Sequence, residues 1–300
     1  MTLSPSGKWL LRAGYASSVS VGLAVAIGAA FCAVTLHVPR SRGPRPDGAS
    51  AVDILARDQI KLKAWWFPAG RGTNRGCVMV LHGIGDSRRG SAGFAPMFLE
   101  SGYSVLTPDS RAHGESGGAF VTYGLLEKFD VIDWARWMKG QGCERVYGLG
   151  ESLGASILIQ AAAVEPVFHA IVAECPFADL QGMGEYRVEG MLTPLPVFVR
   201  HALAAIVVRT GVLYARWVEK LDFRQVSPME SLRVGPTPLL LIHGLADWRT
   251  PPSESRRLAA VQRPAPGLTN LWLVPGAGHT EASAVAGVEF WRRVLGWFER

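Results

Sequence analysis

From about Ala51 onward, short apolar runs alternate with segments of helical period. Eight runs read as strands: AVDILA, KLKAWWF, CVMVLH, YSVLTPD, RVYGLG, HAIVAEC, TPLLLIHG and NLWLVPG. The first two lie close enough in sequence for an antiparallel hairpin. The later ones are continuous apolar runs, as strands buried on both faces require. Between them FAPMFLE, LLEKFDVIDWARWMK, SLGASILIQAAAV, PPSESRRLAAVQ and VEFWRRVLGWF carry helical patterns, and in the second Leu126, Phe129, Ile132 and Trp137 fall near one face. This alternation predicts an α/β architecture: a mostly parallel eight-stranded sheet with helices on both faces.

Two stretches break the alternation. From about Phe177 to Val226 there is no strand signal, and LPVFVRHALAAIVVRTGVLYARWVEK reads as helical. Arg200, His201 and Arg209 interrupt its apolar run, which argues against a membrane span and for a helical cap, with a membrane-touching lid as a further reading. At the other end, Lys8 and Arg12 precede an apolar stretch from about Ala13 to Val38, and a Pro/Arg-rich segment follows it. The core VSVGLAVAIGAAFCAVTLHV is long enough to cross a bilayer as a helix. It predicts a transmembrane anchor; the alternatives are a signal peptide cleaved near Gly28-Ala29-Ala30 and a helix buried in the fold. The expected organisation is an anchor and linker over residues 1–45, then a catalytic domain over 46–300 with its cap at about 177–226.

Composition narrows the function. With 300 residues, 48% hydrophobic and 19% charged, the chain suits an ordered globular protein. Residues 1–50 hold five Lys/Arg and one Asp, so +4 of the net +6 sits around the apolar segment. The body is nearly neutral and lacks the basic face of a nucleic-acid binder. The four cysteines form no CxxC pair and indicate no disulfide framework; Cys77 and Cys175 fall in strands, where cysteine serves as a small apolar residue. No H-E-x-x-H or cysteine cluster suggests a metal, and GIGDSRRG lacks the G-K-[ST] ending of a phosphate-binding loop. No cofactor is expected.

The chemistry centres on Gly150-Glu151-Ser152-Leu153-Gly154. G-x-S-x-G alone is a weak signal, but here an apolar strand runs straight into it and a helix follows. Such a turn lifts the serine above the sheet, next to a helix N-terminus. A serine hydroxyl needs a base. Asp247, four residues past the strand end at His243, and His279, just past the last strand, supply an acid and then a histidine in that chain order. Both fall on loops at the C-terminal ends of strands, where open α/β sheets place their ligands. The plainer readings are a helix-capping Ser152, a turn aspartate and a loop histidine. For an oxyanion hole, the backbone N–H of Leu153 is one candidate donor and that of Ile84, in LHGIGDSRRG, the other.

Together these motifs resemble the α/β-hydrolase superfamily over about residues 50–300. LHGIGDSR resembles its oxyanion loop, PDSRAHGES the D-x-R-x-H-G-x-S segment after the fourth strand, GESLG the nucleophile elbow, and GLADWRTPP and GAGHTEA the acid and histidine loops. Within the superfamily the chain resembles membrane-anchored bacterial hydrolases related to the serine aminopeptidase and lysophospholipase-like group. The resemblance implies a serine hydrolase without a cofactor and does not identify the substrate; a small-molecule acyl substrate is the expectation. A carboxylic ester, including a lipid or lysophospholipid ester, is expected first. A peptidase or amidase of the same fold, whose pocket Glu174, Asp179, Glu185 and Glu189 would make acidic, and a catalytically silent scaffold are the alternatives.

Overall fold

The computed structural model describes residues 22–70 and 75–300. Its strands are β1 (Ser50–Leu55), β2 (Lys61–Phe67), β3 (Cys77–Leu81), β4 (Ser104–Pro108), β5 (Val146–Glu151), β6 (Ala170–Glu174), β7 (Leu239–Gly244) and β8 (Thr269–Val274). They form one sheet in the order β1-β2-β4-β3-β5-β6-β7-β8. β1 pairs antiparallel with β2, and β2 with β4; all other pairings are parallel. The burial patterns follow from position. Every residue of β3, β6 and β7 is buried, whereas edge strand β1 alternates and exposes Ala51, Asp53 and Leu55.

The helices are α1 (Gly22–Leu36), α2 (Arg88–Ser91), α3 (Ala95–Glu100), α4 (Glu127–Gly140), α5 (Leu153–Val164), α6 (Leu180–Met191), α7 (Val197–Tyr214), α8 (Pro228–Val234), α9 (Ser253–Ala259), α10 (Ala282–Ala286) and α11 (Val288–Phe298). Val78, Val80, Tyr147, Leu149, Val172, Leu240 and Ile242 share a core with Phe98 of α3 and Phe290, Val294, Trp297 and Phe298 of α11. Helices α4 and α5 pack on one another, and α5 packs on β5 and β6.

Two details differ from the sequence reading. On α4, of the four residues expected on one face only Ile132 is fully buried; the inward face is Val131, Ile132, Trp134, Ala135 and Met138. It also carries two acids. Asp130 receives two hydrogen bonds from the Arg111 guanidinium, at 2.7 and 2.6 Å, and Glu127 accepts from the Thr122 and Gly124 N–H groups. A hydrophobic period cannot register acids that are buried because they are paired. Second, Cys77 and Cys143 form a disulfide, with Cα atoms 5.7 Å apart. Cys77 stands opposite Val146 in the β3–β5 register, which brings the turn after α4 alongside it. Cys175 is a free, buried thiol, as expected of a small apolar residue.

The chain divides into two compact units. One holds residues 37–183 and 225–300, including the whole sheet. The Pro/Arg-rich segment is pinned to it: His37 meets Phe120 edge-on, and the Arg40 guanidinium donates to the Ser116 and Gly118 carbonyls. Among the described residues, the other unit holds 22–36 with 184–224. In it Val188, Ala204 and Val208 form a small core, packed by Phe31, Leu192, Val207 and Val212. The elements between β6 and β7 are all helical, without a strand. Of the apolar stretch expected as an anchor, from about Ala13 to Val38, residues 13–21 lie outside the described residues and Gly22–Leu36 form α1.

Candidate active site

Ser152 joins β5 to α5 with φ 52° and ψ −110°, a strained conformation for a residue with a Cβ. Its neighbours explain how the chain tolerates it. A Cβ on Gly154 would lie 2.4 Å from the Leu81 carbonyl oxygen and 2.7 Å from that of His82; one on Gly150 would lie 2.6 Å from Ala155 N. Strand β3, the elbow and α5 approach so closely that only glycine fits at both flanks. The Ser152 N–H donates to the Glu174 carbonyl at 2.8 Å, tying the elbow to β6.

His279 and Asp247 meet this serine. His279 Nε2 lies 2.9 Å from Ser152 Oγ, and its Nδ1 lies 2.7 Å from Asp247 Oδ2. A carboxylate at Nδ1 fixes the proton there and leaves the Nε2 lone pair facing the hydroxyl. Asp247 Oδ1 accepts from the N–H groups of Arg249, at 2.8 Å, and Thr250, at 2.9 Å. Burial would raise the Asp247 carboxyl, but donors from His243, His279 and Thr250 outweigh it and hold the group well below the usual carboxylate range.

The loop after β3 lies against the nucleophile: a Cβ on Gly83 would stand 3.4 Å from Ser152 Cβ and 4.0 Å from Oγ. The buried His82 ring orients this loop. Its Nε2 accepts the Ser110 N–H at 3.1 Å, so Nδ1 carries the proton and donates to the Gly83 carbonyl at 2.7 Å. Burial lowers this imidazole to about 4, which keeps it neutral. The Gly83 carbonyl and the Ile84 N–H belong to one planar trans peptide, so holding the first aims the second the opposite way. Leu153 is the first residue of α5, where backbone N–H groups have no intrahelical acceptor.

By sequence His82 and His243 read as structural or lining residues; the structure ties His82 to the loop after β3 and His243 to Asp247. His243 is fully buried, with Nδ1 2.6 Å from Ser255 Oγ and Nε2 2.8 Å from the Thr250 carbonyl and 3.3 Å from Asp247 Oδ2. Asp247 is thus held between two imidazoles. Cys175, His243 and Asp247 also bring potential ligand atoms within 4.8 Å of one another, the one such group among the described residues. The bonds just described account for the polar atoms of His243 and Asp247 without an ion. Glu174 ends β6 rather than lining a cap: its Oε1 accepts from Ala282 N at 2.9 Å. Asp179 pairs with Arg257, and Glu189 with His201.

Glu151 and Glu174 stand opposite each other on β5 and β6. Burial pushes Glu151 up to about 8, with the charges of Glu174 and Asp86 adding to the effect. Burial likewise pushes Glu174 up to about 7 against the pull of the Ala282 N–H. The folded chain therefore binds these protons more tightly than the unfolded chain. Their stabilising contribution is complete below the ordinary carboxyl value of 4.5 and is lost as the pH rises through about 7 to 8. Thermal melts between about pH 6 and 9 should show Glu151→Gln losing less stability than the parent over that interval. Parallel curves for the two proteins would contradict the assignment.

A doubly wound sheet with a strained serine at a strand-to-helix turn, and an acid and a histidine gathered at the strand ends, defines a hydrolase of the α/β class. Residues 78–290 match the profile of the alpha/beta hydrolase family, and the chain belongs to that family. The uncharacterised protein YqkD of Bacillus subtilis (strain 168) is 29% identical over 190 residues, which cover 62% of this chain and 60% of that protein. The uncharacterised protein YfhR of Salmonella typhimurium is 28% identical over 226 residues, covering 74% of this chain and 72% of its own. Among solved structures, the esterase Pf2001 of Pyrococcus furiosus superposes with a TM-score of 0.68 at 26% identity, over 89% of this chain and 98% of that one.

Proposed function

We propose that this chain is a serine hydrolase that cleaves carboxylic esters, lipid or lysophospholipid esters among them, through an acyl-enzyme. The observation that carries the reading is the unbroken line from Asp247 through His279 to Ser152, with steps of 2.7 and 2.9 Å. His279 Nε2 takes the hydroxyl proton as Ser152 Oγ attacks the ester carbonyl. Asp247 keeps the ring in place and stabilises the imidazolium. The N–H groups of Ile84 and Leu153 receive the oxyanion. His279 then passes the proton to the departing alkoxide. A water attacks the acyl-serine, giving one proton to His279, which returns it to Ser152 as the acid leaves. The likeness to a structure described as an esterase supports the ester over the amide. Of the four acids on which the amide reading rests, Glu174, Asp179 and Glu189 each meet a partner within the fold, which weakens that reading.

The N-terminal apolar segment anchors the protein to a membrane in this reading. The Cys77–Cys143 disulfide favours the catalytic unit residing on the oxidising side. The test is a panel of p-nitrophenyl esters of increasing chain length set against matching p-nitroanilides, with a fluorophosphonate probe in parallel. Ester turnover with probe labelling is expected. Anilides cleaved better than esters would overturn the substrate class, and a folded protein that neither labels nor turns over would leave the silent scaffold standing.

A further inference from the structure

We propose that α1 and α7 together form a lipid-seated platform, so that the helical insertion between β6 and β7 itself binds the bilayer interface. The proposal deepens the membrane attachment put forward above, and it starts from an apolar surface that the fold leaves uncovered. Helix α7 and the turn after it give a helical run, Val197–Glu219, with a mean hydropathy of 1.5 over its most apolar window, of which 17% is buried. A core helix of that composition would be mostly buried. Here Phe198 is 76% exposed and Trp217 66%, with Ile206, Leu213 and Val218 exposed between and beside them; α1 adds Val34, 73% exposed, and Leu23.

What covers this surface follows from the helix that α7 touches. A Cβ on Gly28 would lie 2.0 Å from Thr210 Oγ1 and 2.7 Å from Gly211 N, and one on Gly211 would lie 2.9 Å from the Gly28 carbonyl oxygen. Thr210 Oγ1 sits 2.8 Å from the Ile206 carbonyl of its own helix and 3.2 Å from the Ala24 carbonyl of α1. Backbone contact through small residues, with a hydroxyl reaching between helices, is how helices pack where lipid removes the hydrophobic drive for association. Helix α1 is moreover the described end of an apolar run whose first part, from Ala13, lies outside the described residues; Lys8 and Arg12 precede it. A helix in backbone contact with α1 shares its surroundings.

Charge sets the mode of seating. Arg209 is exposed near the middle of α7, half-buried Arg200 lies in its first turn, and Arg216, 3.9 Å from Asp222, lies in the turn after it. A helix with an exposed central arginine lies along the interface, its apolar side chains down and its guanidinium groups at the phosphates. The Arg216 guanidinium stands 5.5 Å from the Trp217 ring, and Lys220 follows, an aromatic and basic pairing suited to the headgroup level. The partner is therefore an anionic bilayer surface.

The experiment uses the full chain with single substitutions Phe198→Cys, Trp217→Cys and, as a control in the sheet-bearing unit, the exposed Val234→Cys. Each is labelled with an environment-sensitive fluorophore, the unsubstituted protein serving as blank for the buried Cys32 and Cys175. The proteins are mixed with phosphatidylcholine vesicles with and without phosphatidylglycerol. Labels at 198 and 217 should shift to the blue on anionic vesicles and be quenched by bilayer-embedded nitroxide several-fold more than the label at 234. Water-like emission at 198 or 217, no vesicle binding, or equal quenching at 234 would each overturn the proposal. Turnover of a soluble short-chain ester in the same samples reports the catalytic reading separately: its loss touches that reading alone.

Discussion

Ser152→Ala should lower kcat on a short-chain p-nitrophenyl ester by about 10⁵- to 10⁶-fold, with KM little changed. The argument is chemical rather than steric. In the proposed mechanism, removing Oγ removes the atom that forms the acyl bond, while the Ile84 and Leu153 N–H groups proposed for the oxyanion stay in place. Residual turnover above background, of order 10³-fold over water, would then report the proposed oxyanion donors together with substrate binding. His279→Ala should cost nearly as much, and combining the two should add little, because the side chains act as one proton-transfer unit. Steady-state kinetics with active-site titration by a fluorophosphonate decides the matter. An alanine variant that still labels, or turns over at even a tenth of the parent rate, would remove Ser152 from the mechanism.

The second large effect concerns architecture. Gly154→Ala places a methyl group 2.4 Å from the Leu81 carbonyl oxygen and 2.7 Å from that of His82. Both are backbone atoms, one in β3 and one at the root of the loop that carries Ile84, and neither can swing aside as a side chain would. Relief requires β3 and α5 to separate, which loosens the sheet core and moves the Gly83–Ile84 peptide away from Ser152. A loss of about 3 kcal/mol in stability is expected, together with most of the activity. Urea denaturation against Gly140→Ala makes the comparison clean, since a Cβ at Gly140 meets nothing within 4 Å. Equal midpoints for the two variants would show that the close approach at the elbow is not what demands glycine.

Much of this arrangement can be read from the chain because it is written in short-range pattern. Continuous apolar runs mark strands such as β3, β6 and β7, and a glycine-flanked serine between an apolar run and a helix marks the elbow. Asp247 and His279 fall where a strand ends and a turn begins, so their placement at one rim of the sheet needs only the strands to be parallel. The coordinates bring the three side chains within hydrogen-bond reach.

Other features carry no local signal. His243 lies four residues before Asp247, yet its contact with that carboxylate depends on the turn between them and on Ser255 in the next helix. His82 looks like any strand-end histidine until Ser110, from the loop after β4, fixes its tautomer. Cys77 and Cys143 are 66 positions apart and become partners only because β3 and β5 are neighbours. The inward face of α4 departs from its hydrophobic period because two of its inward residues are acids whose partners, Arg111 and the turn at Thr122, come from elsewhere.

What the sequence determined by itself is the element type, the elbow and the positions of the acid and the histidine, since period and turn chemistry act over a few residues. Tertiary structure alone decided which polar groups are buried in pairs, which loop lies against Ser152 and which helix α7 lies against. Those depend on groups distant in sequence meeting in a medium of low dielectric, where an unpartnered charge or amide is costly and each contact is set by every other.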